Sequence, residues 1–208
     1  DGEEKVAIIL GLSGTGKTTT VVQLLGLLQG IALEQNRRLR ICLAAPTGKA
    51  AARLTASIGN AVGKLPEAVR VTIPTEVTTL HRLLGSRPGT RHFFHDAGNP
   101  LHVDLLVVDE ASMIDLEMMA AVLSALPAKA RLILIGDKDQ LASVEAGSVL
   151  GDLCRNAGGE VYRPSTIEWI KTHTGYKLEK FAGAGTDLDQ HIAVLRKSYR
   201  FGKNSGIG

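Results

Sequence analysis

The sequence predicts a doubly wound α/β lobe built on a mainly parallel sheet, and three observations predict it. Four short apolar runs read as strands, segments of helical period separate them, and a glycine-rich turn joins the first run to the first helical segment. The runs cover residues 6–10, 39–45 (broken by Arg40), 103–108 (broken by Asp104) and 132–135. Runs with so little polar alternation belong to strands covered on both faces. After the first run, Val21, Leu24, Leu25, Leu28 and Ile31 recur at three- and four-residue spacing, and after the second Ala51, Leu54, Ile58 and Val62 do the same. After the third, Asp115 is placed to cap a helix whose buried face is Met119, Val122, Leu123 and Leu126. Alternation of this kind, with right-handed crossovers, sets ligands at the carboxyl ends of the strands.

Two stretches interrupt the alternation. Residues 63–102 hold Pro66, Pro74, Pro88 and Pro100 and read as a long connection with a short helix over Leu80–Leu84. Residues 156–186, with Gly158, Gly159, Pro164, Gly175, Gly183 and Gly185, read as an inserted or mobile segment with one helix over 167–172. The 208 residues, 44% hydrophobic and 22% charged, bury one full core, so a single lobe over 1–208 is expected.

Composition narrows function by exclusion more than by assignment. A formal charge of +3 permits a polyanionic partner without requiring one, and 4% aromatic residues make phosphate contacts a better basis for strand binding than rows of stacked rings. Cys42 and Cys154 form no C-x-x-C, and Cys42 sits in an apolar run, so both read as reduced thiols of a cytoplasmic protein. No apolar run approaches the ~20 residues needed to cross a bilayer, and no membrane association is expected. His92, His95 and His102 lie near one another without a zinc-like spacing.

The chemistry concentrates at the predicted strand ends. Gly11-Leu12-Ser13-Gly14-Thr15-Gly16-Lys17-Thr18 fits G-x-x-x-x-G-K-[ST] and lies between a strand and a helix, where backbone N–H groups can wrap phosphates. Lys17 reaches the outer phosphates, the Thr18 hydroxyl is a magnesium ligand, and Thr19 closes the cradle, so ATP and Mg2+ are the cofactors implied. Asp109 and Glu110 end the third strand; the first suits a magnesium carboxylate and the second a base for water. Gln140, after the fourth strand, is either a sensor of the terminal phosphate or part of an ordinary turn. Pro46, Thr47 and Gly48 open a second helix with Lys49 and Arg53 on one face, a phosphate-backbone contact site or a solvated helix start. His81 is either semi-buried or a strand contact, and Arg200 by itself reads as a surface arginine.

Six segments in order, GLSGTGKTTT, APTGKAAARL, TLHRLLG, VVDEAS, GDKDQL with SVEAGSVLGD, and KSYRFGKNSGIG, resemble the motifs of superfamily 1 helicases, most nearly the RecD family of bacterial exonuclease V alpha subunits. The likeness covers residues 5–156 and 188–208. It implies a RecA-like first motor lobe that couples ATP hydrolysis to five-prime to three-prime movement on single-stranded DNA, alongside RecB-like and RecC-like subunits. By position it implies that Gln140 couples the γ-phosphate to motion, that Arg200 contacts that phosphate, and that Thr47, Lys49, Thr79 and His81 face the DNA. Leu12-Ser13 replaces the usual Gly-Pro without touching Gly11, Gly16 or Lys17, the family's upstream adenine-reading glutamine has no counterpart, and the second lobe is expected in a longer protein.

Two other classes share the nucleotide cradle. A phosphotransferase needs an acceptor site and usually an arginine-rich lid, neither visible here, and a non-hydrolysing binding module has no use for both Lys17 and Glu110.

Overall fold

The computed structural model describes residues 5–87, 89–90, 92–137 and 149–197. Strand β1 (Val6–Gly11) leads into α1 (Lys17–Glu34), and β2 (Ile41–Ala45) into α2 (Gly48–Val62). After α3 (Glu67–Arg70), β3 (Thr78–Thr79) runs directly into α4 (Leu80–Leu84). Strand β4 (Leu105–Val108) precedes a 3-10 turn at Ala111–Met113 and α5 (Leu116–Ala125); β5 (Arg131–Gly136), α6 (Val149–Leu153), α7 (Pro164–Thr174) and β6 (Ile192–Leu195) follow. The six strands form one sheet in the order β3-β2-β4-β5-β1-β6, and every adjacent pair is parallel.

Side chains alternate between two apolar layers because successive residues of a strand point to opposite faces. Ile8, Leu10, Leu106, Val108, Leu132 and Leu134 pack with Leu80, Leu84, Met119 and Val122 of α4 and α5. Ile9, Leu105, Val107, Ile133 and Ile135 pack instead with Val21, Val22 and Leu25 of α1 and Leu54, Ile58 and Val62 of α2. Helices therefore cover both faces, which makes the lobe doubly wound as expected. Fully burying one such Leu or Ile side chain is worth about 1.5–3 kcal/mol, so the central strands β4 and β5 hold both layers together.

Three differences from the sequence reading have physical causes. Leu123 is 49% exposed, and Ala125 takes its place on the buried face of α5 with Met119 and Val122. In α1, Ile31 is 46% exposed and Ala32 is buried. Both helices are apolar nearly all round, so spacing marks a helix without choosing which apolar residue meets the sheet. Two strands, β3 and β6, were not anticipated: the first has two residues, too few to show a period, and the second follows a polar 3-10 turn at Leu188–His191.

The expected helix in the 156–186 stretch is present as α7, with Pro164 at its first helical position, where a missing N–H costs nothing. The stretch is tied to β6 by polar contacts. The Tyr162 hydroxyl donates to the Ile192 carbonyl at 2.6 Å, the Gln190 amide to the Val161 carbonyl at 2.9 Å, and the buried Asp189 carboxylate accepts from the Thr186 N–H at 2.7 Å and hydroxyl at 2.8 Å. Burial pushes the Asp189 carboxyl up, but the Thr186 and Asn156 hydrogen bonds outweigh it and hold it below its ordinary value. Cys154 is buried and Cys42 partly so; burial, with the Asp189 charge adding, pushes the Cys154 thiol up to about 11. No helix among the described residues is long and apolar enough to cross a membrane.

Arg40 and Asp104, which break two of the apolar runs, pin the entry of β2 to that of β4. Asp104 accepts from the Arg40 backbone N–H at 2.8 Å and from its guanidinium at 3.0 and 2.9 Å, while the Arg40 carbonyl accepts from the Asp104 N–H at 2.9 Å. Chiefly through the Arg40 side-chain bond, the Asp104 carboxyl falls from 3.8 to about 2. A depressed carboxyl stabilises the fold fully above its unfolded value and loses that contribution as pH falls through the folded one. Asp104→Asn is therefore expected to lower the melting temperature at pH 7 by roughly 1–3 °C, the size set by a largely exposed pair. In urea unfolding the gap between the two proteins should close as pH falls from 4 to 2; a gap independent of pH would remove the ion pair from the account.

Candidate nucleotide site and nucleic-acid face

All six strands point the same way, so every loop that follows a strand emerges at one edge of the sheet. At the end of β1 the chain turns through Leu12-Ser13-Gly14-Thr15-Gly16 into α1. Gly14 and Gly16 have φ of 81° and 84°, a region that residues with a Cβ rarely adopt, and these two turns curl the loop around its own backbone N–H groups. Thr15 is buried and its hydroxyl donates to the Leu12 carbonyl at 2.8 Å, bracing the loop from inside. Ser13 and Thr19 are exposed, and Lys17 and Thr18 half-buried. The Lys17 ammonium donates to the Gly11 carbonyl at 2.5 Å and the Leu12 carbonyl at 3.1 Å, which folds its long chain back over the concave side of the loop.

The carboxylate pair lies across β5 from this loop. The Asp109 N–H donates to the Ala44 carbonyl at 3.0 Å, continuing the β2–β4 ladder one residue past the strand, so the carboxyl is delivered at the sheet edge. Burial is the main reason that the Asp109 carboxyl is raised above its ordinary value; the Glu110 N–H and the Lys17 charge pull it down, and the Glu110 charge pushes it up. Lys17, Asp109 and Glu110 thus share one electrostatic environment. Glu110 has a φ of 51°, in the left-handed region, one of two such non-glycine residues among those described. Spacing gives no sign of this conformation, which costs on the order of 1–3 kcal/mol and recurs where a side chain must be aimed. It turns the chain out of β4 into the 3-10 turn, where Ser112 is 5% exposed and its hydroxyl has no partner among the described residues.

The donor set fits a hard divalent cation: the Thr18 hydroxyl and the Asp109 carboxylate are both oxygen ligands of the type magnesium takes. No group of three or more His, Cys, Asp or Glu among the described residues is placed to hold a metal on its own, His92, His95 and His102 included. Gln140 and Arg200 lie outside the described residues.

The four residues expected to face DNA gather at the ends of β2 and β3. Those strands pair Ala44 with Thr78 and Ala45 with Thr79, which sets the start of α2 beside the start of α4. Thr47 caps α2 by accepting from the Ala50 N–H at 3.2 Å, and Thr79 caps α4 by accepting from the Arg82 N–H at 3.3 Å. Each hydroxyl spends an acceptor on its cap and keeps its proton for another partner. Lys49, Arg53 and His81 are exposed, and the His81 ring meets Phe93 edge-on with centroids 6.0 Å apart.

The chain is similar to known proteins over most of its length. A family model described as an AAA domain matches residues 2–146. The RecBCD enzyme subunit RecD of Haemophilus influenzae is 45% identical over 208 residues, covering 97% of this chain and 32% of the relative. The subunit of the same name from Mycolicibacterium smegmatis is 51% identical over 197 residues, covering 91% and 35%. An ATP-dependent RecD2 DNA helicase of Deinococcus radiodurans is 38% identical over 153 residues, covering 74% and 18%. The chain spans about a third of the length of the RecD relatives it matches.

A carboxyl raised by burial makes the ionised site a cost to the fold. Replacing Asp109 with its neutral isostere is expected to raise the melting temperature of the nucleotide-free protein by a few degrees at pH 8. The gain should vanish below the ordinary carboxylate range, where both versions are neutral. A loss of stability at pH 8 would show that the Asp109 charge is well compensated in the fold.

Proposed function

This chain belongs to the AAA domain family, and from that premise we propose that it is the first, RecA-like motor lobe of a RecD-type DNA helicase, one that hydrolyses Mg-ATP to move along single-stranded DNA. The observation that carries the reading is the placing of the Gly11–Thr18 loop after β1 and of Asp109 and Glu110 after β4, two strands apart on one carboxyl edge of a parallel sheet. It is the arrangement that water-driven phosphoryl transfer needs, where catalysis is mostly positioning and charge.

In this reading the loop N–H groups from Ser13 to Thr19 and the helix start of α1 hold the phosphates, and Lys17 leaves its two carbonyl partners to neutralise the outer ones. Thr18 and Asp109 would hold a magnesium ion, which would supply charge neutralisation to the phosphates. Glu110, whose backbone takes the left-handed turn at the end of β4, orients the attacking water and takes its proton. Gln140 and Arg200 are assigned to the γ-phosphate. Thr47 and Lys49, with Thr79 and His81, grip the DNA backbone at two adjoining helix starts. The lobe works in the cytoplasm within a longer protein whose second lobe closes over the nucleotide, together with RecB-like and RecC-like subunits. One rigid lobe has no second state for ATP to favour, so movement needs that closure.

Glu110→Gln is expected to keep Mg-ATP affinity in the full-length protein while slowing turnover about a hundredfold or more, the effect of losing a positioned base. Wild-type turnover by this variant would remove Glu110 from the role of base and make it structural. For the DNA face, Lys49→Ala should weaken single-stranded DNA binding with nucleotide affinity unchanged, and should reduce the salt slope by about one phosphate contact. An unchanged slope would place Lys49 away from the strand.

A further inference from the structure

The amino edge of the sheet, opposite the phosphate loop and the carboxylate pair, carries a groove of about 550 Å³. It lies between residues 38–41, which lead into β2, and residues 71–75, which run from α3 toward β3. Strands β2 and β3 pair only at Ala44–Thr78 and Ala45–Thr79, so their approaches splay apart and the first residues of β2 have a ladder on one side alone. The Ala44 carbonyl accepts from the Asp109 N–H on the β4 side; by the alternation of a strand, the Ile41 N–H and C=O point away from β4, toward the groove that Ile41 lines. Neither group has a hydrogen-bond partner among the described residues.

The lining divides by chemistry. Leu39, Ile41, Val71, Ile73 and Pro74 supply an aliphatic surface on which Val71 is 70% exposed, and no aromatic ring is among them. Arginines border it, Arg38 and Arg40 on the β2 side and Arg70 at the end of α3, with Arg37 exposed next to Arg38. Asp104 is committed to Arg40, and Glu67 stands 3.8 Å from Arg70; Arg37 and Arg38 make no ion pair within 4 Å among the described residues. The turn that carries these two is fixed to α1. The Arg37 N–H donates to the Ala32 carbonyl at 2.9 Å, and the Leu39 N–H to the Gln29 side-chain carbonyl at 3.1 Å, so the arginines stand on a held backbone. Adjacent cations without counterions repel one another in the free protein and favour an anionic partner.

We propose that this groove docks an extended acidic segment of a partner protein, which lies along the open side of β2, sets an apolar side chain against Leu39 and Val71, and gives its carboxylates to Arg38 and Arg70. A free N–H and C=O beside a strand form a template for another extended chain, and a chain that alternates apolar and acidic residues meets the aliphatic floor with one set and the cationic rim with the other. Guanidinium forks match carboxylates, with two parallel hydrogen bonds to each. The same observations disfavour a nucleic acid: no ring is present for bases to stack on, and a sugar-phosphate backbone has no amide to donate to the Ile41 carbonyl. Because the groove lies on the edge opposite Lys17, Asp109, Thr47 and Lys49, the segment binds without blocking the nucleotide or the DNA face.

The test measures, by fluorescence anisotropy with the full-length protein, binding of a labelled peptide that alternates glutamate and valine, of its counterpart with glutamine for glutamate, and of a labelled oligothymidylate. Melting curves verify that each variant folds. Wild type should bind the acidic peptide about tenfold or more tightly than the glutamine counterpart, and saturating Mg-ATP should not change that affinity. Arg38→Glu and Arg70→Glu should each weaken the acidic peptide about tenfold, the worth of one charged hydrogen bond, and leave oligothymidylate binding as it was. Val71→Asp should weaken both peptides, whereas Arg87→Glu, the same change of charge away from the groove, should weaken neither. Absence of acidic-peptide binding to folded wild type would overturn the proposal, as would equal affinity for the two peptides or an equal loss in Arg87→Glu, which would reduce the effect to general charge attraction. Weakened oligothymidylate binding in Arg38→Glu would make this edge a nucleic-acid contact and overturn it too.

Discussion

An all-parallel hydrogen-bond ladder is the constraint on which the rest of this lobe depends. Parallel strands cannot be joined by tight hairpins, so each connection must cross the sheet, and the crossing helices cover both faces. The two apolar layers are the direct consequence. Ile8 and Leu10 serve one, Ile9 the other, and the same alternation runs through 105–108 and 132–135. A second consequence is that the phosphate loop, the carboxylate pair and the two threonine-capped helix starts all emerge at one edge, although they lie far apart in sequence.

The site is made of groups that the fold alone would not choose. A carboxyl raised by burial, a glutamate in the left-handed region and a buried serine hydroxyl without a partner among the described residues are each unfavourable, and they fall within four consecutive residues, 109–112. Strain and unmet polar groups concentrate in this way where geometry is held for chemistry and not for stability. The surrounding β4 and β5, buried on both faces, are rigid enough to hold them.

The segment that follows α6 has a different construction. It contributes few residues to the two apolar layers and is organised by Asp189, Gln190, Tyr162 and Arg163 through hydrogen bonds to backbone and to one another. The same network ends at Phe181 and Arg196, close to the Gly11–Leu12 turn, so a stretch that looks like an addition to the sheet supplies a wall beside the proposed nucleotide site.

The sequence by itself determined the class of the fold, the four central strands, the α4 helix at Leu80–Leu84 and the cap at Asp115, because these depend on local spacing and on side chains that act on their own backbone. It also determined where the phosphate loop and the Asp109-Glu110 pair stand, since glycine, lysine and adjacent carboxylates carry their chemistry in their identity. Only the tertiary structure decided which apolar face of α1 and α5 meets the sheet, as Ile31 and Leu123 illustrate, because a helix apolar on all sides is oriented by what it packs against. The two edge strands were likewise decided by partners: Thr78–Thr79 and Ile192–Leu195 become strands because β2 and β1 offer them open ladders. The turn of Glu110 and the placing of Arg196 between Gly158 and Phe181 belong to the same category, since each arises from contacts between residues whose distance along the chain, or whose backbone angle, leaves no mark in the order of the amino acids.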